Sequence, residues 1–171
     1  MIWVSIIAVI ILILSFFGGL KEGAVKQSFN LVVLLIAIPL AGFSYRLLAA
    51  LLSFLPGENW ENFFGFFIAL ALVSVILHFI ALLPRRIIQK IWKRGLFFRL
   101  LGGVLNVIHA SLFLVVFTLV LLAYPIFDWL ERAVAGSAVL APLVEIFGFV
   151  QAMLPSVFQS AAGLMVAGSL I

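Results

Sequence analysis

Residues 100–123 read LLGGVLNVIHASLFLVVFTLVLLA, 24 consecutive positions without a charge. At 1.5 Å per residue such a helix reaches about 36 Å, enough to cross a hydrocarbon core about 30 Å thick. Lipid offers no partner for a free backbone N–H or C=O, so a stretch of this kind crosses as a helix. Moving outward, three more stretches satisfy the same test: 2–20 and 27–45 carry no charge, and 62–83 holds only the titratable His78. The third is bounded by the polar turn Pro56-Gly57-Glu58-Asn59-Trp60-Glu61 before it and by Pro84 after it.

The rest of the 171-residue chain agrees, with 67% hydrophobic residues, 9% charged residues and a mean hydropathy of +1.40. A soluble domain devotes about a quarter of its residues to charge, so a water-soluble globule is excluded. The sequence predicts an all-α polytopic membrane protein. A four-span bundle fills 1–127, and an apolar tail at 128–171 forms short helices, one over 142–154 and another after Pro155, that lie on or dip into the outer leaflet and cover the bundle or mediate oligomer contacts. No cysteine is present, which removes disulfides and thiolate chemistry together.

Charge sets the expected orientation. Lys21 and Lys26 follow the first span, and Arg85, Arg86, Lys90, Lys93, Arg94 and Arg99 lie between the third and fourth. Both loops fall at one end of a four-span bundle, and basic loops stay in the cytoplasm. Both termini, Glu58 and Glu61 are therefore expected outside, in a bacterial inner membrane. No basic residue precedes the first span, so it reads as a retained anchor and not as a cleaved signal. Arg46 lies 20 residues, about 30 Å, beyond Lys26 and is expected to anchor the far interface, with 47–55 bending along the outer surface.

On a helical wheel, 84–94 divides cleanly. Ile87, Ile88, Ile91 and Trp92 share one arc; the six positions Arg85, Arg86, Gln89, Lys90, Lys93 and Arg94 share the other. That pattern predicts a helix lying in the interface with its cations on anionic headgroups, which makes anionic lipid the expected partner and argues against nucleic acid.

Within the spans the informative residues are Asn30, His78, Asn106 and His109, all in the half nearer the basic loops. Three-residue spacing puts Asn106 and His109 on one face of the fourth span, continuing a stripe of Arg99, Gly102, Gly103 and Ala110. Small residues on that stripe, with Gly19 and Gly23 at the end of the first span, predict close helix packing. The polar cluster allows two readings: interhelical hydrogen bonds that fix packing, or a His-lined proton or ion path. No catalytic, cofactor or metal constellation stands out. Ser111 is two residues from His109 and points elsewhere, and the six carboxylates lie outside the spans. An enzyme is not expected.

The chain resembles the colicin V production protein (CvpA) family over about residues 1–150. The likeness rests on Gly18-Gly19-Leu20-Lys21-Glu22-Gly23-Ala24-Val25-Lys26-Gln27 after the first span, on Arg99-Leu100-Leu101-Gly102 opening the fourth, and on Ser137-Ala138-Val139-Leu140-Ala141-Pro142. Phe98, Asn106, His109 and Ala110 depart from what members often carry. The resemblance implies an inner-membrane accessory or scaffold in toxin production or export and envelope homeostasis, with homo-oligomers or other envelope proteins as partners. The alternative is a small transporter or channel whose path is lined by His78, Asn106 and His109.

Overall fold

The computed structural model describes residues 2–91 and 95–160, the side chains at 89–91 excepted. Among the described residues the helices follow in the order α1 (Ile2–Glu22), α2 (Ala24–Leu51), α3 (Glu58–Ile91), α4 (Leu96–Ala123), α5 (Asp128–Ala135), α6 (Leu140–Ile146) and α7 (Phe149–Met153), with 156–160 helical after them. The first four are long and apolar enough to cross a membrane. No strand occurs among the described residues.

The long helices stand in the spatial order α1, α4, α2, α3. Helix α4 packs against both α1 and α2, α3 packs almost wholly on α2, and α3 and α4 touch only sparsely. From Ala110 to Leu122 every residue of α4 except Phe113 and Phe117 is buried. A helix apolar on all sides belongs in the middle, and α4 takes that place.

Backbone contact fixes the α1–α4 pair. A Cβ on Gly102 would lie 2.6 Å from the Gly19 carbonyl oxygen and 2.7 Å from the Gly23 carbonyl carbon. One on Gly103 would lie 2.8 Å from the Phe16 ring. Only hydrogen fits at these positions, so the two helices approach at backbone distance and gain dispersion contacts that lipid cannot replace. Gly23 is the hinge into α2, at φ +82°, where an L side chain would be strained. Ala110 is buried on the same helix as Gly102 and Gly103.

Several boundaries differ from those read in the sequence. Helix α2 runs on to Leu51, and only the turn after it bends, so 47–51 continues the span. Pro84 does not end the third span: α3 passes through it to Ile91. A proline deletes one N–H and kinks a helix, but backbone groups near lipid have no better alternative than the helical pattern on either side. The amphipathic stretch at 84–91 is thus an extension of α3 and not a separate surface helix.

The tail also differs. The stretch 142–154 breaks at Phe147-Gly148, α5 precedes it, and the tail packs onto the bundle. Val150 and Phe158 are fully buried, and Phe158 meets Tyr45 and Tyr124 edge to face and Phe66 at a tilt, at centroid distances of 5.4–5.7 Å. Trp129 meets Trp3 at 5.8 Å, and the Ser5 and Ser137 hydroxyls share a 2.9 Å hydrogen bond. The last expected helix lies mostly outside the described residues.

Gly19→Ala places its methyl 2.7 Å from the Asn106 Cβ and 2.8 Å from the Gly102 carbonyl carbon. We expect this variant to lose about 1–3 kcal/mol, as overpacked contacts do, read as a lower melting temperature in detergent. Gly95→Ala, whose Cβ meets nothing nearer than 3.9 Å, should melt with the wild type.

Candidate functional site

Because α3 leans on α2 and leaves α4 free, a cleft opens between α2, α3 and α4 at the end of the bundle that carries the basic loops. It encloses about 890 Å³, within the 300–1,000 Å³ of ordinary small-ligand sites. Helix α3 supplies one wall from Phe67 to Phe79 through residues at the i, i+3, i+4, i+7 spacing, about 18 Å of helix, with Ser74 and His78 among them. Lys26 and Asn30 of α2, His109 and Phe113 of α4, and Glu22 at the end of α1 complete it.

A chain of polar contacts runs from the mouth inward. Lys26 pairs with Glu22, whose second carboxylate oxygen accepts from Gln27 Nε2 at 2.7 Å. Gln27, 2% exposed, accepts in turn from Asn30 Nδ2 at 3.5 Å. On the facing side of the cleft, His109 Nδ1 is buried and has no hydrogen-bond partner.

Three of the four polar residues singled out in the sequence, Asn30, His78 and His109, therefore share this cleft. Asn106 does not. Its Nδ2 donates to the Ser15 carbonyl oxygen of α1 at 2.6 Å, beside the glycine contact. Residues three apart on a helix differ by about 60°, and the narrow α4 has α1 on one side and the cleft on the other, so the two side chains part. Glu22, Lys26, Gln27 and Ser74 were missed as site residues. The signal was the same spacing rule: Gln27 precedes Asn30 by three, Ser74 precedes His78 by four, and Glu22 precedes Lys26 by four.

Among the cationic residues, Arg85 is half-buried, and Arg86 and Arg99 are exposed. The side chains of Lys90, Lys93 and Arg94 lie outside the described residues.

Past Phe67 the space between helices is filled by aromatic rings. Phe63 lies 5.0 Å from Phe67 and 6.1 Å from Phe117, and Phe67 lies 5.9 Å from Phe117. At the far end, Tyr45 and Tyr124 join their hydroxyls at 2.7 Å, and Arg46 Nε donates to Tyr45 Oη at 3.3 Å. Burial, then the Tyr45 hydroxyl, push the Tyr124 phenol above its ordinary range.

Four membrane-length helices around a one-sided polar cleft define a polytopic helical membrane protein. A model of the family described as colicin V production protein matches residues 4–148, and the chain belongs to that family. No curated protein and no solved structure matches it.

Gln27→Leu leaves Glu22 and Asn30 short of a buried partner, and is expected to cost about 1–3 kcal/mol of thermal stability in detergent. The Tyr124 phenol is raised in the folded chain, so the stability it contributes is whole below about pH 10 and is lost as pH rises beyond that. Tyr124→Phe should flatten this alkaline slope in melting temperature.

Proposed function

We propose that the chain is a non-enzymatic accessory or scaffold protein of the bacterial inner membrane, acting in toxin production or export and in envelope homeostasis, with both termini outside. Family membership gives the general role. The observation that carries the scaffold reading is how the polar groups within the bundle are used. Asn106 to Ser15, Tyr45 to Tyr124 and Ser5 to Ser137 each tie a helix to a distant segment, as expected of a body whose task is to hold a shape. Its expected partners are other envelope proteins or further copies of itself, seated on a membrane whose inner surface is anionic; positive-inside charge supports that orientation.

One observation favours the transporter: His109, whose buried Nδ1 has no partner, lines the same cleft as His78. Against it stands the packed aromatic layer of Phe63, Phe67 and Phe117, which fills the space a continuous path would need.

Cells lacking the chain are expected to release less toxin, and His78→Ala and His109→Ala variants to restore release as well as the wild type. Proteoliposomes should show no flux above protein-free vesicles. Failure of both His variants together with pH-dependent flux in the wild type would replace the scaffold with the transporter. A periplasm-active reporter joined after Tyr124 should be active, and one joined at Gly95 silent.

A further inference from the structure

We propose that five aromatic rings at the end of the bundle opposite the basic loops form a docking surface for the membrane itself, seated in the boundary between headgroups and acyl chains of that leaflet. The inference needs only that the chain sits in a bilayer, and it stands whether the protein is a scaffold or a transporter.

The rings form a ladder. Phe64 stacks on Trp60 at a centroid distance of 5.8 Å, Trp60 meets Phe127 edge to face at 5.2 Å, Phe127 stacks on Trp129 at 5.9 Å, and Trp129 meets Trp3 at 5.8 Å. The starts of α1 and α3, the turn after α4 and the first turn of α5 each contribute, so segments distant in sequence meet at one end of the bundle. These rings are not core. Trp60 is half-buried, and the other four are 38–54% exposed. Three of the four tryptophans in the chain stand in the ladder.

Neighbouring groups fix the level. Glu58 and Glu61 flank Trp60, and Asp128 and Glu131 flank Trp129. None of these carboxylates makes an ion pair among the described residues, so they need water. Rings one or two residues from them cannot lie deep in hydrocarbon, and rings this exposed would leave apolar surface in water if they stayed outside it. An indole settles between the two because its body is apolar and its one polar atom is a donor. The indole N–H groups of Trp3, Trp60 and Trp129 have no partner among the described residues, and the ester carbonyls, phosphates and water of that boundary accept them.

Distance along the helices agrees. Trp3 precedes Lys21, the first cation of the basic end, by 18 residues, about 27 Å of helix. A hydrocarbon core is about 30 Å thick, so a cation at one boundary puts Trp3 at the other. On α3, Trp60 and Arg85 are 25 residues apart, about 37 Å, and helix tilt with the long arginine side chain takes up the difference. A protein partner would also cover exposed rings, but it would not require the ladder to fall one membrane thickness from the cations.

The test uses the full chain in phosphatidylcholine vesicles, in three variants that keep Trp3, Trp60 or Trp129 as the single tryptophan and carry Phe at the other three tryptophan positions. Phe preserves a ring at each rung; where a variant melts well below the wild type in detergent, Tyr takes the place of Phe. Emission is read with phosphatidylcholine brominated near the headgroup end or near the methyl end of its chains, and with iodide added on both sides. Each variant should emit at shorter wavelength than free tryptophan in water, lose more emission to the shallow bromines than to the deep ones, and lose less to iodide than free tryptophan does. Stronger quenching by the deep bromines in any of the three would place that ring in the hydrocarbon and overturn the proposal. Iodide quenching as complete as that of free tryptophan, with no loss to either bromolipid, would leave the ladder in water for a protein partner and overturn it equally.

Discussion

The meeting of α1 and α4 at Gly19 and Gly102 is the contact on which the remaining arrangement depends. Between helices in lipid there is no hydrophobic gain to be had, since acyl chains are as apolar as leucine. What favours one neighbour over another is how closely the backbones can approach. Glycines on both sides allow that approach here and draw α1 to one flank of α4. Helix α2 takes the other flank, and α3 packs on α2, meeting α4 mainly through the rings of Phe63 and Phe67 against Phe113 and Phe117. The cleft is the geometric remainder of this choice: a space left between α3 and α4 because α3 leans on α2.

At the opposite end aromatic rings and hydroxyls join close glycine contacts at Gly42 and Gly65. Tyr45, Phe66, Tyr124 and Phe158 form one cluster contributed by α2, α3, the end of α4 and the tail. Pro155 reaches Gly42 of α2, where a Cβ would come within 2.8 Å of its ring. The tail therefore belongs to the bundle by packing, although by sequence it reads as an appendage. The two halves of the membrane thus see different proteins: one closed by packed rings, one open around the cleft.

The class of fold was plain in the sequence because the bilayer imposes a length and an absence of charge, and residues 100–123 satisfy both. The glycine contact was visible as Gly18-Gly19 and Gly102-Gly103 at matching ends of their spans. Neither the rotation of α4 nor the partner of α3 was legible. Apolar residues cover these helices on every side, so periodicity cannot say which face meets protein, and Asn106 could not be separated from His109 until the neighbours were known. Pro84 misled because a proline boundary is a rule drawn from water. Phe158 was hidden for a similar reason, since in a chain this rich in phenylalanine a core ring and a lipid-facing ring look alike. Gln27 and Ser74 were within reach of the spacing argument and were passed over because neither is charged.

Chain order adds a constraint that the finished structure conceals. Helix α1 barely touches α2, the next helix made, and its partner α4 is completed about 100 residues later. At about 5–20 residues per second, α1 waits on the order of ten seconds with its glycine face covered only by lipid. Its first turns wait longer still, until Ser137 and Trp129 arrive to close over Ser5 and Trp3. During synthesis α1 is thus an unpaired helix while α2 and α3, made after it, can already pair with each other, and any neighbouring small-residue helix in the membrane competes for α1 in that interval.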